Sequence, residues 1–299
     1  MEIDTGMAVV RWLRDVPTLM LWGGGIYSGV LVPPALRYRL EPRFRPWQVL
    51  AAATAALSVA ASLPLQAAAL GGLWADALTP GRLADVLFET NLGPLWVAQA
   101  VAAAALLGLS LGRLPGRTAA TAVVAGLLLA GVAAGGHAAM RAGVPGLLQR
   151  GATWLHLLAA GFWLGSLPLL FPILAEAARD THGDAVLALR RFSTVGHAAV
   201  AGVLATGAIN AALVLGHASG PGGLSWTDAS PYRTLLALKI ACALLMTALA
   251  LLNRYGFLRQ WIRGDGRAMN RIRGATLTEI GLGIMAVALV AVFGLLEPG

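Results

Sequence analysis

A chain of 299 residues with 58% hydrophobic and only 12% charged residues does not have the composition of a soluble globular protein. Soluble domains carry about 25% charged residues, and the mean hydropathy here is +0.72. The formal net charge of +8 would favour nucleic acid as a partner of a soluble protein. Apolar runs of about 20 residues recur along the chain, however, and each is long enough to cross a hydrocarbon core of ~30 Å. The composition therefore predicts a polytopic membrane protein.

Eight such runs predict about eight transmembrane helices. They lie at residues 12–32, 47–70, 92–111, 118–136, 153–173, 192–216, 234–252 and 275–296. Open strands would leave backbone amides unpaired in lipid, so we expect an all-α bundle. Glycine and alanine are abundant within the runs, which favours close packing between helices. We interpret residues 1–299 as a single transmembrane domain.

Arginine divides unequally between the two sets of loops. Fifteen arginines lie in the loops after the first, third, fifth and seventh runs, and six lie on the other side. Arginine-rich loops stay in the cytoplasm, so both termini are predicted on the opposite, periplasmic side. This topology explains the positive charge without nucleic acid, and membrane lipid is the expected contact of the basic loops.

Polar side chains gather at the outer level of the predicted bundle. Ionisable groups inside a membrane are costly and by default mark functional sites. His137 ends the fourth run, His156 lies about one turn inside the fifth, and His217 lies at the outer end of the sixth. The other polar residues at this level are Asn210, seven residues before His217, with Asp15, Glu89 and Lys239.

The two histidines His137 and His156 are compatible with more than one chemistry. They could be buried imidazoles bonded to backbone carbonyls, or they could bind a metal. Met140, three residues after His137, would favour Cu(I), because thioether sulfur is a soft ligand. Paired histidines on neighbouring helices also suit bis-imidazole haem. Met140 and Trp163 could equally be packing residues.

Asp15 and Lys239 also have a structural alternative. They could pair with each other or with Glu89.

Other kinds of chemistry have less support. The single cysteine, Cys242, excludes a CxxC motif, and no Walker A, HExxH or GxSxG sequence is present. We therefore expect no enzymatic activity and no catalytic residues.

Six short motifs occur in order across about residues 135–255. They are GHAA at 136–139, WLHLLAAGFWLG at 154–165, RFS at 191–193, ATGAIN at 205–210, SPYRTLL at 230–236 followed by Lys239, and LNR at 252–254. This ordered set resembles the bacterial copper resistance D (CopD) family of inner-membrane proteins. The resemblance implies movement of copper from periplasm to cytoplasm, beside a periplasmic copper-binding partner of the CopC type.

By this resemblance, the histidines of the family motifs correspond to His137 and His156. From geometry we add His217 or Met140 as a third copper ligand. Asp15, Glu89, Asn210, Lys239 and Trp163 are expected to orient the ligands or line the pathway. The expected function is therefore a copper permease. A b-type haem electron-transfer protein and a non-transporting copper-binding or assembly partner are the alternatives. The sequence leaves the copper oxidation state and the oligomeric state open.

Overall fold

The computed structural model describes residues 2–113, 116–135, 143–179, 183–218 and 230–296, without the side chains of residues 214–218 and 262. This part of the chain is helical and contains no strand, which confirms the predicted all-α class. Its eight long helices are labelled α1 to α8. They are α1 (Glu2–Ile26), α2 (Pro34–Gly71), α3 (Leu92–Leu111), α4 (Arg117–Ala134), α5 (Gly143–Ala177), α6 (Asp184–Ala218), α7 (Pro231–Leu251) and α8 (Ala268–Phe293).

The helices α2 to α8 are long and apolar enough to cross a membrane. The predicted first span, α1, does not meet the same criterion of composition. It carries five charged side chains in its first fifteen residues: Glu2, Asp4, Arg11, Arg14 and Asp15. A π-helical turn, Tyr27–Leu31, continues α1, so that the two together measure about 45 Å.

The position of α1 in the bundle accounts for its polarity. It packs against four other helices, α2, α4, α5 and α8. Much of its surface therefore contacts protein, whereas a helix at the outside of the bundle mainly contacts lipid. A β-carbon at Gly23 would lie 2.0 Å from the carbonyl oxygen of Gly161, and one at Gly165 would lie 2.3 Å from that of Leu19. Such distances are too short for any side chain, so glycine sets the close approach of α1 to α5.

Indole N–H groups connect the helices to one another. Trp12 of α1 donates to the Ile284 carbonyl of α8, and Trp22 of α1 donates to the Leu158 carbonyl of α5. Trp154 of α5 donates to α4 in the same way, and Trp96 of α3 donates to α2. Because lipid offers indole no hydrogen-bond partner, these contacts also satisfy groups that would otherwise be costly to bury.

The two ends of the bundle have different chemistry. At one end, Arg117 forms an ion pair with Glu41 at 2.7 Å, and Arg45 and Arg191 donate to the ends of neighbouring helical segments. At the other end, Arg11 donates to the Gly294 carbonyl at 3.0 Å, which brings the two terminal helices together. The start of α1 and the end of α8 therefore lie on the side opposite the arginine-rich loops, as the charge distribution predicts.

The segment between α2 and α3 forms three short helical pieces. They are a 3-10 turn at Trp74–Leu78, an α-helical turn at Pro80–Ala84 and a π-helical turn at Asp85–Glu89. The mixture of apolar and acidic residues at 73–91 predicts one short amphipathic helix in the membrane interface, whereas the structure forms three pieces. Pro80 separates the first piece from the second, because proline cannot donate the amide hydrogen that would continue a helix. Phe88 is 80% exposed, which fits a segment lying in the membrane interface.

Candidate functional site at the outer half of the bundle

The predicted copper ligands are only partly within the described residues. His137 and Met140 lie outside them, between α4 and α5. His217 lies in the last turn of α6, but its side chain is also outside the description. His156, on α5, is the member of the predicted ligand set whose contacts are described.

His156 lies at the interface between α5 and α6, which pack along one another. Its Nδ1 is 3.0 Å from Oγ1 of Thr206. The Thr206 hydroxyl donates in turn to the Gly202 carbonyl one turn earlier on α6. A β-carbon at Gly207 would lie 3.4 Å from His156 Cε1, so the ring packs directly against the α6 backbone.

The direction of these hydrogen bonds assigns the protonated nitrogen of His156. Since the Thr206 hydroxyl donates its hydrogen to the Gly202 carbonyl, its oxygen accepts a hydrogen bond from Nδ1–H of His156. The lone pair of the imidazole is then on Nε2. Histidines that bind metals are commonly held in this way, with one ring nitrogen donating to the protein and the other free for the metal.

Asn210 lies beside His156, as the prediction of a shared outer level requires. The hydroxyl of Thr153, one turn before His156 on α5, donates to Asn210 Oδ1 at 3.3 Å. Asn210 follows Thr206 by one turn on α6, so the two threonines and the asparagine form one polar strip with His156. The structure therefore brings Asn210 next to the predicted ligand.

Lys239 of α7 belongs to the same outer region. It lies close enough to His156 to interact with it electrostatically. Its ammonium group also stands over the Phe293 ring of α8, 5.7 Å from the ring centre. The sequence predicts Lys239 at this level, and the structure adds that its ammonium group lies over an aromatic ring.

Asp15 and Glu89 lie apart from His156. Asp15 pairs with its neighbour Arg14 at 2.8 Å, and Arg14 also donates to Gln99 of α3. The pairing of Asp15 with Lys239 or Glu89 that the sequence left open is therefore replaced by a pair within α1. Glu89 is exposed at the end of its π-helical turn, at the surface of the bundle.

Within the described ranges, no three histidine, cysteine, aspartate or glutamate side chains lie close enough to hold a metal ion. The predicted set of His137, His156, His217 and Met140 draws three of its four members from outside the described side chains. The structure therefore leaves that set as a prediction. What it does describe is one imidazole, oriented by the contact of its Nδ1 with Thr206.

A second polar cluster lies in the inner half of the bundle. Trp163 of α5 donates its indole N–H to Glu279 of α8 at 3.3 Å, and Asn253 donates to the same carboxylate at 2.8 Å. From the sequence, Trp163 is predicted to line the pathway, with packing as the alternative, but Glu279 is not identified as a site residue. The signal that could have identified Glu279 is that it is an acidic residue inside the eighth apolar run.

His197 lies near this inner cluster, on α6. Its ring contacts Arg254 at 3.1 Å and the Tyr255 hydroxyl at 3.3 Å, and Arg254 also donates to Ser193. These contacts join α6 to the end of α7 at the inner side. Met246 of α7 is buried against α8 near Gly283. Cys242 is half-buried.

The family of this chain follows from its similarity to known proteins. Residues 1–147 match the model of the family described as copper resistance protein D-like, N-terminal domain, and residues 186–293 match that of copper resistance protein D. The chain is 30% identical over 293 residues to the inner membrane protein YebZ of Escherichia coli (strain K12), with 97% of each chain covered.

Two further relatives carry copper in their names. Copper resistance protein D of Pseudomonas syringae pv. tomato is 28% identical over 307 residues, which cover 97% of this chain and 96% of the relative. Copper transport protein CutJ of Bacillus subtilis (strain 168) is 33% identical over 185 residues, or 56% of this chain and 33% of that protein. With its apolar helices, the chain is a multi-pass inner-membrane protein, and it belongs to the copper resistance protein D family.

Proposed function

We propose that this protein is a copper permease that moves copper from the periplasm toward the cytoplasm. Copper would bind first at an outer site formed by His137 and His156, with His217 or Met140 as third ligand. A periplasmic copper-binding protein of the CopC type would deliver the ion. The family and the copper-named relatives support the role in copper handling.

The observation that carries the site is the hydrogen bond between His156 and Thr206. It holds the imidazole in one orientation and leaves the Nε2 lone pair available for copper. His156 lies on the outer half of α5, beside the part of α6 that leads to His217. Imidazole binds either oxidation state of copper, and a Met140 thioether would favour Cu(I).

The remaining predicted residues would act around this site. Asn210 and Thr153 would keep the α5–α6 interface polar next to His156. Lys239 would set the local charge through its electrostatic interaction with His156. Asp15 and Glu89 would line the approach from the periplasm, and Trp163 would lie deeper on the inward path. We treat the chain as one functional unit, since α1 packs against α5 and α8.

Uptake of copper into sealed vesicles tests the proposal. Purified wild type would be reconstituted and compared with His137→Ala, with His156→Ala and with His182→Ala, a histidine that lies in sequence between α5 and α6. Cu(I) and Cu(II) would be supplied in separate experiments. We expect uptake with wild type and with His182→Ala, and loss of uptake with the other two variants.

The same experiment separates the alternatives. If wild type binds copper but the vesicles take up none, the protein is a non-transporting copper-binding partner. If the purified protein shows a Soret band, it carries haem and the permease proposal is wrong. If His137→Ala and His156→Ala both transport as well as wild type, the outer site is wrong even though transport is real.

A further inference from the structure

A cavity of about 300 Å³ lies in the inner half of the bundle, between α5, α6, α7 and α8. Leucine, valine and other apolar side chains form most of its wall. Its polar lining includes Ser193, His197 and Arg254, and the place where Trp163, Asn253 and Glu279 meet. The cavity lies away from His156, which does not line it. It is therefore separate from the outer site proposed above.

Glu279 is the most unusual group on this wall. Its side chain is only 2% exposed, and its two carboxylate oxygens accept hydrogen bonds from Trp163 Nε1 and Asn253 Nδ2. Both donors are neutral. Within the described part of the chain, no lysine, arginine or histidine forms an ion pair with Glu279, whereas the buried Asp15 has Arg14 at 2.8 Å.

The charged groups around the cavity are engaged elsewhere. Arg254 and His197 line the cavity, but Arg254 bonds to Ser193 and to His197. The other charged side chains on the elements packed against α8, or on α8 itself, do not line the cavity. They are Glu2, Asp4, Arg11, Arg14 and Asp15 on α1, Arg150 and Glu176 on α5, Arg233 and Lys239 on α7, Arg259 on the helical turn Leu258–Ile262, and Arg271 and Arg273 on α8.

The cluster of Trp163, Asn253 and Glu279 contains more hydrogen-bond acceptors than its donors can satisfy. The two Glu279 oxygens take the indole and amide hydrogens, and the Asn253 Oδ1 atom is buried without a hydrogen-bond partner. An anionic carboxylate in this low-dielectric position keeps its full charge, because neutral donors do not cancel it. A proton would supply both the missing positive charge and the missing donor, whereas a metal cation would supply the positive charge alone.

We propose that Glu279 is a proton-binding site of the inner cavity. Glu279 holds a proton when the cavity is empty. When copper enters the cavity, the O–H bond breaks, the proton leaves to water at the cytoplasmic side, and the positive copper ion balances the carboxylate. No electron is transferred in this exchange. The second half of the proposal, exchange with copper, rests on the proposed permease function.

Infrared spectroscopy of the copper-free protein tests the first half. We expect a protonated carboxyl C=O band in wild type at neutral pH, shifted in heavy water, absent in Glu279→Gln and displaced in Glu279→Asp. Glu176→Gln is the matched control, because Glu176 forms ion pairs with Arg39 and Arg179 at the inner end of α5, whereas the described residues give Glu279 no such pair. It should keep the band. A wild-type spectrum without a band that depends on Glu279 overturns the proposal.

Proton release on addition of copper tests the second half. In weakly buffered detergent solution with a pH indicator, wild type should release more protons per bound copper than Glu279→Gln. Equal release from the two proteins overturns the exchange. If neither protein binds copper, the permease and the exchange both fail, whereas the infrared band still decides by itself whether Glu279 holds a proton.

Discussion

His156 of α5 and Thr206 of α6 are joined by a hydrogen bond of 3.0 Å between Nδ1 and Oγ1. The Thr206 hydroxyl donates its hydrogen to the Gly202 carbonyl, so Nδ1–H of the imidazole is the donor to Thr206 and the lone pair of the ring is on Nε2. The orientation of one side chain in the outer half of the bundle thus depends on a residue 50 positions away in the chain.

Removing the Thr206 hydroxyl is expected to weaken copper binding. Thr206→Val keeps the shape of the side chain but cannot accept the hydrogen of His156. Loss of such a supporting contact weakens metal affinity by roughly 10- to 100-fold. Competition with a copper chelator measures the change. Thr206→Ser is the matched control and should bind copper like wild type. Equal affinities for the valine and serine variants would contradict the assigned orientation.

The charge of Lys239 is expected to oppose copper binding. Lys239 interacts electrostatically with His156, and a copper ion there would meet a neighbouring positive charge. Lys239→Met should therefore bind copper more tightly than wild type, whereas Lys239→Arg, which keeps the charge, should not. Isothermal titration with copper compares the three proteins. A weaker affinity for the methionine variant would show that Lys239 supports the site instead.

The hydrogen bond from Trp163 to Glu279 is expected to stabilise the fold. Trp163→Phe retains most of the buried ring but loses the donor, at a cost of about 1 kcal/mol in the free energy of unfolding. Thermal unfolding in detergent should show a lower melting temperature. In a Glu279→Leu background the same substitution should cost less, because no acceptor remains. Identical costs in the two backgrounds would mean that only packing is lost.

The contact between α1 and α5 is expected to tolerate no side chain at Gly23. A β-carbon there would lie 2.0 Å from a backbone oxygen of Gly161, so the helices must separate. Gly23→Ala should lower the free energy of unfolding by about 3 kcal/mol. Gly108→Ala is the control, since a β-carbon there meets no atom within 4 Å. Melting temperatures of the two variants give the comparison, and equal values would exclude tight packing at Gly23.

Much of the fold can be predicted from hydropathy and arginine counts, but the helix ends cannot. α2 begins at Pro34 and α5 at Gly143, whereas the apolar runs begin at 47 and 153. Hydropathy detects the portion that meets lipid, and a helix continues beyond it into polar sequence. The apolar run at 12–32 predicts only part of α1, which begins at Glu2 and carries Arg11, Arg14 and Asp15 where it packs against other helices.

The candidate sites are less predictable because they depend on which helices are neighbours. The spacing of His156 and Asn210 places both at the outer level, and the structure places them in one polar strip. Spacing does not reveal that Thr206 orients His156. It also does not bring Trp163 to Glu279, since 116 residues separate them. Glu279 itself was readable from the sequence as an acid within an apolar run.

Copper stoichiometry of the purified protein tests the central claim most directly. Elemental analysis and an absorption spectrum would be obtained for wild type and for the double variant His137→Ala/His156→Ala in detergent. We expect that wild type binds copper without a Soret band and that the double variant loses this copper. Equal copper in the two proteins, copper in neither, or a haem spectrum would contradict it.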